Sequence, residues 1–188
     1  MIFYTADIHF RDERIFKLCS RPFLNLVSYE KEFCKRWNKK VNKDDAVYIL
    51  GDLSREDFID VVAILKTLNG HKHLIVGNHD EKLLTVLKKA CVFESIEFIK
   101  LIDDNGRKVC LCHYPLMDWV EFNHNAYHVY GHIHNKTGMQ GKCYRQIKEY
   151  YADKPAFNAG VDVVGYEPVT LDEMMKLKEL HKNDSHIN

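Results

Sequence analysis

Seven residues of this chain have the types and positions to hold metal ions: Asp7, His9, Asp52, Asn78, His113, His132 and His134. Carboxylate oxygen, amide oxygen and neutral imidazole together suit borderline divalent ions such as Mn, Fe, Zn, Co or Ni. Seven donors exceed the four that a simple zinc site uses. If one carboxylate bridges, the set can serve two ions. Only Asp7 and Asp52 carry negative charge, so two divalent ions leave a positive shell even after a hydroxide joins it. Such a centre attracts a phosphate anion and stabilises the charge that builds during displacement at phosphorus. Each short piece has a plainer explanation when taken alone. His-x-His arises by chance, and Gly-Asp after a strand is common turn chemistry. Here all the pieces occur in chain order, each after an apolar run.

Those apolar runs are the elements that must position the donors. Ile2 to Ala6 leads into Asp7-Ile8-His9, and Ala46 to Leu50 into Gly51-Asp52. His73 to Val76 leads into Gly77-Asn78-His79-Asp80, Val109 to Cys112 into His113-Tyr114-Pro115, and Tyr127 to Tyr130 into Gly131-His132-Ile133-His134. Short runs rich in Val, Ile and Tyr that end at Gly or Pro read as strands. They are apolar throughout, which predicts burial on both faces. Tyr29, Phe33, Trp37 and Val41 lie four apart and predict one helix face. Ser54 with Asp57, and Thr170 with Glu173, read as capping boxes before two further helices. Asn105-Gly106 between two apolar runs predicts a hairpin. The stretch 138–154 has a weak pattern and reads as a loop or short insertion, and the tail after Leu180 is polar and predicted to fray. Strands alternating with helices imply an α/β fold, whose ligands bind beyond the carboxyl ends of the strands.

Composition bounds the rest. A chain of 188 residues fits a single domain, residues 1–188. Lys plus Arg and Asp plus Glu are each 27, so the formal charge is zero, which disfavours tight binding of duplex nucleic acid. The six cysteines include no Cys-x-x-Cys pair, so reduced thiols are expected rather than a thiolate zinc site. Cys110 and Cys112 would share one face of a strand. No secretory signal and no membrane-length apolar run is seen, which leads to the expectation of a cytoplasmic protein without membrane partners.

The motifs together resemble the calcineurin-like metallophosphoesterases. The pieces that carry the resemblance are Asp7-Ile8-His9, Gly51-Asp52, Gly77-Asn78-His79-Asp80, Cys112-His113 and Gly131-His132-Ile133-His134. Arg21-Pro22-Phe23, Trp37-Asn38, His113-Tyr114-Pro115 and Asn158-Ala159-Gly160-Val161-Asp162 are similar to a compact bacterial and phage group within that family. Two departures stand out. Cys112 replaces the usual glycine, which is tolerable where no positive φ is needed. Arg11-Asp12 stands where that compact group often has Gly-His.

The resemblance implies a four-layer metallophosphoesterase-type β-sandwich flanked by helices. It implies that Asp7, His9, Asp52 and His134 hold one ion, that Asp52, Asn78, His113 and His132 hold the other, and that Asp52 bridges. Two divalent ions, Mn favoured over Fe, Zn, Ni or Co, would activate hydroxide to attack a small phosphate ester. His79 would protonate or stabilise the leaving group, with Asp80 orienting His79; the plainer role for Asp80 is to cap a helix near Glu81. A phosphodiester, possible nucleotides included, is the expected substrate, with a phosphomonoester as the alternative. Arg55 and Tyr114 follow two motif loops and are candidates for substrate contact. A non-catalytic protein-interaction scaffold on the same fold is the main rival, and the intact donor set argues against it. A nuclease would need a capping region for which there is little room, and the dense histidine run of a metallo-β-lactamase is absent.

Overall fold

The structure, a computed structural model, describes residues 1–55, 58–135 and 141–184. It is a mixed α/β fold with two four-stranded sheets. The first sheet holds β1 (Ile2–Thr5), β2 (Ala46–Ile49), β3 (His71–Ile75) and β4 (Ser95–Glu97), in that order and all parallel. The second holds β5 (Ile99–Asp104), β6 (Arg107–Cys112), β7 (Tyr127–Tyr130) and β8 (Ala156–Asn158). There β5 pairs antiparallel with β6, while β6, β7 and β8 run parallel. The expected hairpin is present: Asp104 faces Arg107, and Asn105 and Gly106 have φ of 54° and 82°. Two successive positive φ values define the tight turn that Asn-Gly favours.

The helices are α1 (Glu13–Leu18), α2 (Leu26–Lys40), α3 (Phe58–Thr67), α4 (Leu84–Ala90), α5 (Gly141–Tyr150), α6 (Val161–Val164) and α7 (Leu171–Asp184). Tyr29, Phe33 and Trp37 on α2 are fully buried, each burial stabilising by about 1.5–3 kcal/mol. They pack with Phe3, Val47, Ile49 and Leu74 of the first sheet, with Val61 and Leu65 of α3 and with Leu87 of α4. Successive strand residues point to opposite faces. Tyr4, Tyr48 and Ile75 therefore join Val109, Leu111, Val129 and Phe157 of the second sheet in a shared core. The outer face of the second sheet, with Cys110 and Tyr130, is covered by Trp119 and Tyr151. Cys110 and Cys112 are both buried, as their spacing on one strand requires.

Thr170 and Glu173 form their capping box before α7: the Thr170 amide donates to Glu173 Oε2 at 2.8 Å, and the Glu173 amide donates to Thr170 Oγ1 at 3.3 Å. Asp57, the second member of the Ser54 box, lies outside the described residues. Two expectations are corrected. The stretch read as a loop or insertion carries helix α5, and α7 continues past Leu180 to Asp184. Among the described residues no helix is long and apolar enough to cross a membrane. Cys19, Cys34, Cys91, Cys110 and Cys112 are free thiols.

Parallel strands place their carboxyl ends along one edge. Beyond β1 lie Asp7 and His9, beyond β2 Asp52, beyond β3 Asn78, beyond β6 His113, and beyond β7 His132 and His134. At this edge the Ala6 amide donates to Ala159 O at 2.9 Å, and the Val161 amide donates to Ala6 O at 3.0 Å, joining the two sheets.

Candidate metal centre

Two groups of potential ligands face each other: Asp7, His9 and His134 form one, Asp52, His113 and His132 the other. Within each, the donor atoms lie within 4.8 Å of one another. Asp52 stands between the groups. Its Oδ2 is 3.6 Å from His9 Nε2, and its Oδ1 is 3.5 Å from His113 Nε2. Asn78 Oδ1 lies 3.1 Å from His113 Nε2 and 3.0 Å from His132 Nδ1. All seven residues singled out by type and spacing are thus brought to one place.

The loops reach this geometry through unusual backbone. Asp7, His9, Asp52, His132 and His134 all have positive φ, between 50° and 71°. Left-handed backbone costs a non-glycine residue roughly 1–2 kcal/mol, and such strain gathers at functional sites. Two glycines let the loops close. A Cβ on Gly77 would fall 2.4 Å from Asp52 Oδ1, and one on Gly51 would fall 2.5 Å from His113 Nδ1. Cys112 sits in β6 without positive φ, so it needs no glycine there.

Three imidazoles have their outer nitrogen facing an acceptor. His113 Nδ1 donates to Leu50 O at 2.7 Å, and His134 Nδ1 donates to Asp162 Oδ2 at 2.7 Å. His9 Nδ1 lies 3.3 Å from Asp12 Oδ2. Each arrangement aims Nε2 inward, as in carboxylate–histidine–metal triads. His9 Nε2 is fully buried and has no hydrogen-bond partner. An orphaned ring nitrogen among carboxylates and imidazoles is what a metal ligand looks like without its ion. The donor set therefore fits divalent metal.

The charge states differ among the imidazoles. Burial holds His9 and His132 below the usual imidazole range, which favours the neutral ligand form. Burial also works against charge on His134, but the Asp162 hydrogen bond outweighs it, and the imidazole is pushed up to about 10. A metal entering there must displace a proton.

His79 sits beside the donors. Its amide donates to Asp52 Oδ1 at 3.0 Å, its Nε2 is 4.0 Å from Asp52 Oδ2, and its ring lies 5.5 Å from that of His9. The expectation for Asp80 is corrected. Its Oδ2 accepts the amides of Gly77 and Asp52, and its Oδ1 accepts that of Leu53, each at 2.9 Å. The carboxylate therefore ties two motif loops together instead of orienting the His79 ring. Nor does it cap the turn at Glu81–Leu83, where no side-chain cap bond forms. Burial pushes the Asp80 carboxyl up to about 7, and the backbone amides pull the other way.

The ring of Tyr114 lies 4.8 Å from that of His132 and 5.0 Å from that of His113, with the side chain 43% exposed at the rim. Arg55 is partly buried just beyond Ser54. His71 and His73 lie near Glu94, at the far end of β3 from Asn78. Sequence reasoning missed Asp12, Arg21 and Asp162 as supports. Asp12 resolves the odd Arg11-Asp12 pair: besides facing His9 it caps α1 by accepting the amides of Arg14 and Ile15, at 3.0 and 3.1 Å. The available signal was an acidic residue three positions after a ligand histidine.

No protein-family model matches the chain. The protein of unknown function AQ665 from Aquifex aeolicus superposes on it with a TM-score of 0.71 at 28% identity, over 94% of this chain and 98% of that one. An archaeal phosphodiesterase gives a TM-score of 0.45 at 18% identity, over 72% of this chain and 74% of that one, too distant a likeness to carry an argument. The uncharacterized protein MJ1445 of Methanocaldococcus jannaschii is 32% identical over 192 residues, covering 100% of this chain and 96% of that protein. By that identity and coverage, the chain belongs to the same family as MJ1445.

Proposed function

We infer that the protein is a metal-dependent phosphoesterase of the calcineurin-like type, acting on a phosphodiester through two divalent ions. The observation that carries this reading is the position of Asp52, with one carboxylate oxygen toward each group of ligands. Asp7, His9, Asp52 and His134 would hold one ion, and Asp52, Asn78, His113 and His132 the other, with Asp52 shared. Mn is the favoured metal. When bound, two such ions polarise the phosphoryl group and lower the pKa of a water toward about 7.

The protein's own residues supply the rest. Asp80 fixes the loops that carry Asp52 and Asn78, so those donors are set before substrate arrives. His79, held by its amide on Asp52 Oδ1 yet outside both ligand groups, would give a proton to the leaving oxygen. Tyr114, whose ring lies beside that of His132, would contact the substrate at the rim. We read residues 1–188 as one domain, because residues of both sheets share a core, and its layers as the sandwich of that superfamily. The partner is then a small phosphate ester, and the neutral overall charge disfavours tight binding of duplex nucleic acid or a membrane surface.

The test is hydrolysis of bis-p-nitrophenyl phosphate and of p-nitrophenyl phosphate by metal-stripped protein with Mn(II) restored. Mn-dependent cleavage of the diester is expected. Cleavage of the monoester alone would make the protein a phosphatase, and binding of two ions without cleavage of either would favour the scaffold.

A further inference from the structure

We propose that Arg21 and Asp162, which lie outside the five ligand-bearing motif loops, form a positioning pair that sets Asp7, His9 and His134 toward one ion. The inference rests on the function proposed above and extends it to residues outside the donor set.

Asp162 uses both carboxylate oxygens. Oδ2 accepts His134 Nδ1–H at 2.7 Å, and Oδ1 is ion-paired with Arg21 Nε at 3.0 Å. The other two guanidinium nitrogens turn the opposite way. Nη1 donates to Ile8 O at 2.7 Å, and Nη2 donates to Asp7 O at 2.8 Å. Tyr29 completes the seat. Its hydroxyl donates to Ile8 O at 2.7 Å, and its ring lies 4.5 Å from the Arg21 guanidinium carbon. The pair thus spans from the loop bearing Asp7 and His9 to the imidazole of His134. All three of those ligands have left-handed backbone, with φ of 56°, 52° and 50°. Strained loops keep such conformations only where surrounding contacts over-determine them.

The pair is fully buried, with side chains 0% and 3% exposed. A buried ion pair is a weak source of stability, because desolvating two charges offsets much of their attraction. Its geometry here does something a hydrophobic pair of equal volume cannot. Asp162 fixes His134 with Nε2 inward, and Arg21 fixes Asp162 while gripping the first ligand loop. Cys19 Sγ, 3.5 Å from His134 Nδ1, and Asp162 could themselves be taken for a separate metal site with His134. The guanidinium already supplies the cation at Asp162, so these groups are read as supports for His134.

The experiment is titration of metal-stripped protein with Mn(II), following free Mn(II) by electron paramagnetic resonance, for wild type and Asp162→Asn. Circular dichroism checks the fold. Asparagine keeps the shape and one acceptor for His134 but loses the charge that holds Arg21. The expected result is one Mn(II) weakened by about 10–100-fold, the range for losing an outer partner of a ligand, with the second ion bound as in wild type. Arg21→Lys, which keeps the charge but not the fork, should weaken the same ion, and it serves if Asp162→Asn does not fold. A merely structural pair would weaken both ions together or neither. Two ions bound equally well by wild type and variant would overturn this inference alone. No Mn(II) bound by the wild type would overturn the proposed function and the inference with it.

Discussion

The carboxylate of Asp80 accepts the backbone N–H of Asp52 at 2.9 Å, and so joins the third motif loop to the residue standing between the two ligand groups. Two more amides, of Gly77 and Leu53, converge on the same carboxylate. Removing it leaves three buried donors without partners, each unsatisfied group costing about 1–3 kcal/mol before relaxation. Asp80→Ala is expected to lower stability by about 3 kcal/mol in urea unfolding and to weaken both ions. An Asp80→Ala protein with wild-type stability and metal content, slowed only in turnover, would return Asp80 to the role of orienting His79.

His79→Ala should separate proton transfer from metal binding. The ring is outside both ligand groups, so both ions should stay while turnover of a diester falls about 100-fold or more. Metal analysis beside the rate measurement decides this. Turnover that tracks a loss of metal would make His79 a ligand or a support for one.

Gly77→Ala tests the closeness of the loops. The added methyl would meet Asp52 Oδ1 at 2.4 Å, so the carboxylate must move. If Asp52 serves two ions as proposed, metal affinity is expected to fall for both, with a loss of at least about 10-fold in Mn(II) titration. Unchanged affinity would show that Asp52 does not stand between the two ions.

His128 predicts a pH dependence away from the metal centre. It is fully buried on β7, where its Nδ1 donates to Cys110 O at 3.0 Å and its Nε2 accepts the Leu116 amide at 3.2 Å. The neutral ring is therefore built into the loop after His113, and burial lowers its pKa from 6.5 to about 4. Between those values the unfolded chain binds a proton that the folded one does not, so stability falls as pH drops from 6.5 toward about 4. The full shift corresponds to about 3 kcal/mol. Urea unfolding of metal-free wild type and His128→Gln across that window should show a shallower pH slope in the variant. Identical slopes would contradict this account of His128.

The clustering of the candidate donors was legible because metal chemistry restricts residue type and each candidate follows an apolar strand. The aromatic stripe of α2 and the turn at Asn105-Gly106 were legible for equally local reasons. Other features depend on contacts between distant segments. Nothing near Asp7 or His134 in sequence announces left-handed backbone, since the strain is held by partners such as Arg21 and Asp80. Asp162 meets His134 across 28 positions, and Arg21 meets Asp7 across 14. Asp80 looked like a partner for its neighbour His79, but a short side chain buried among amides is claimed by the backbone. Helix α5 was missed because Lys, Arg and Gln dilute its apolar face, although Tyr144, Ile147 and Tyr151 carry the three-and-four spacing.

The most direct test of the central claim is the number and coupling of Mn(II) ions bound per chain, read together by elemental analysis and low-temperature electron paramagnetic resonance. The account predicts two ions with an exchange-coupled spectrum, because Asp52 lies between them, and loss of that coupling in Asp52→Asn. One ion per chain, or two that are magnetically independent in the wild type, would contradict it.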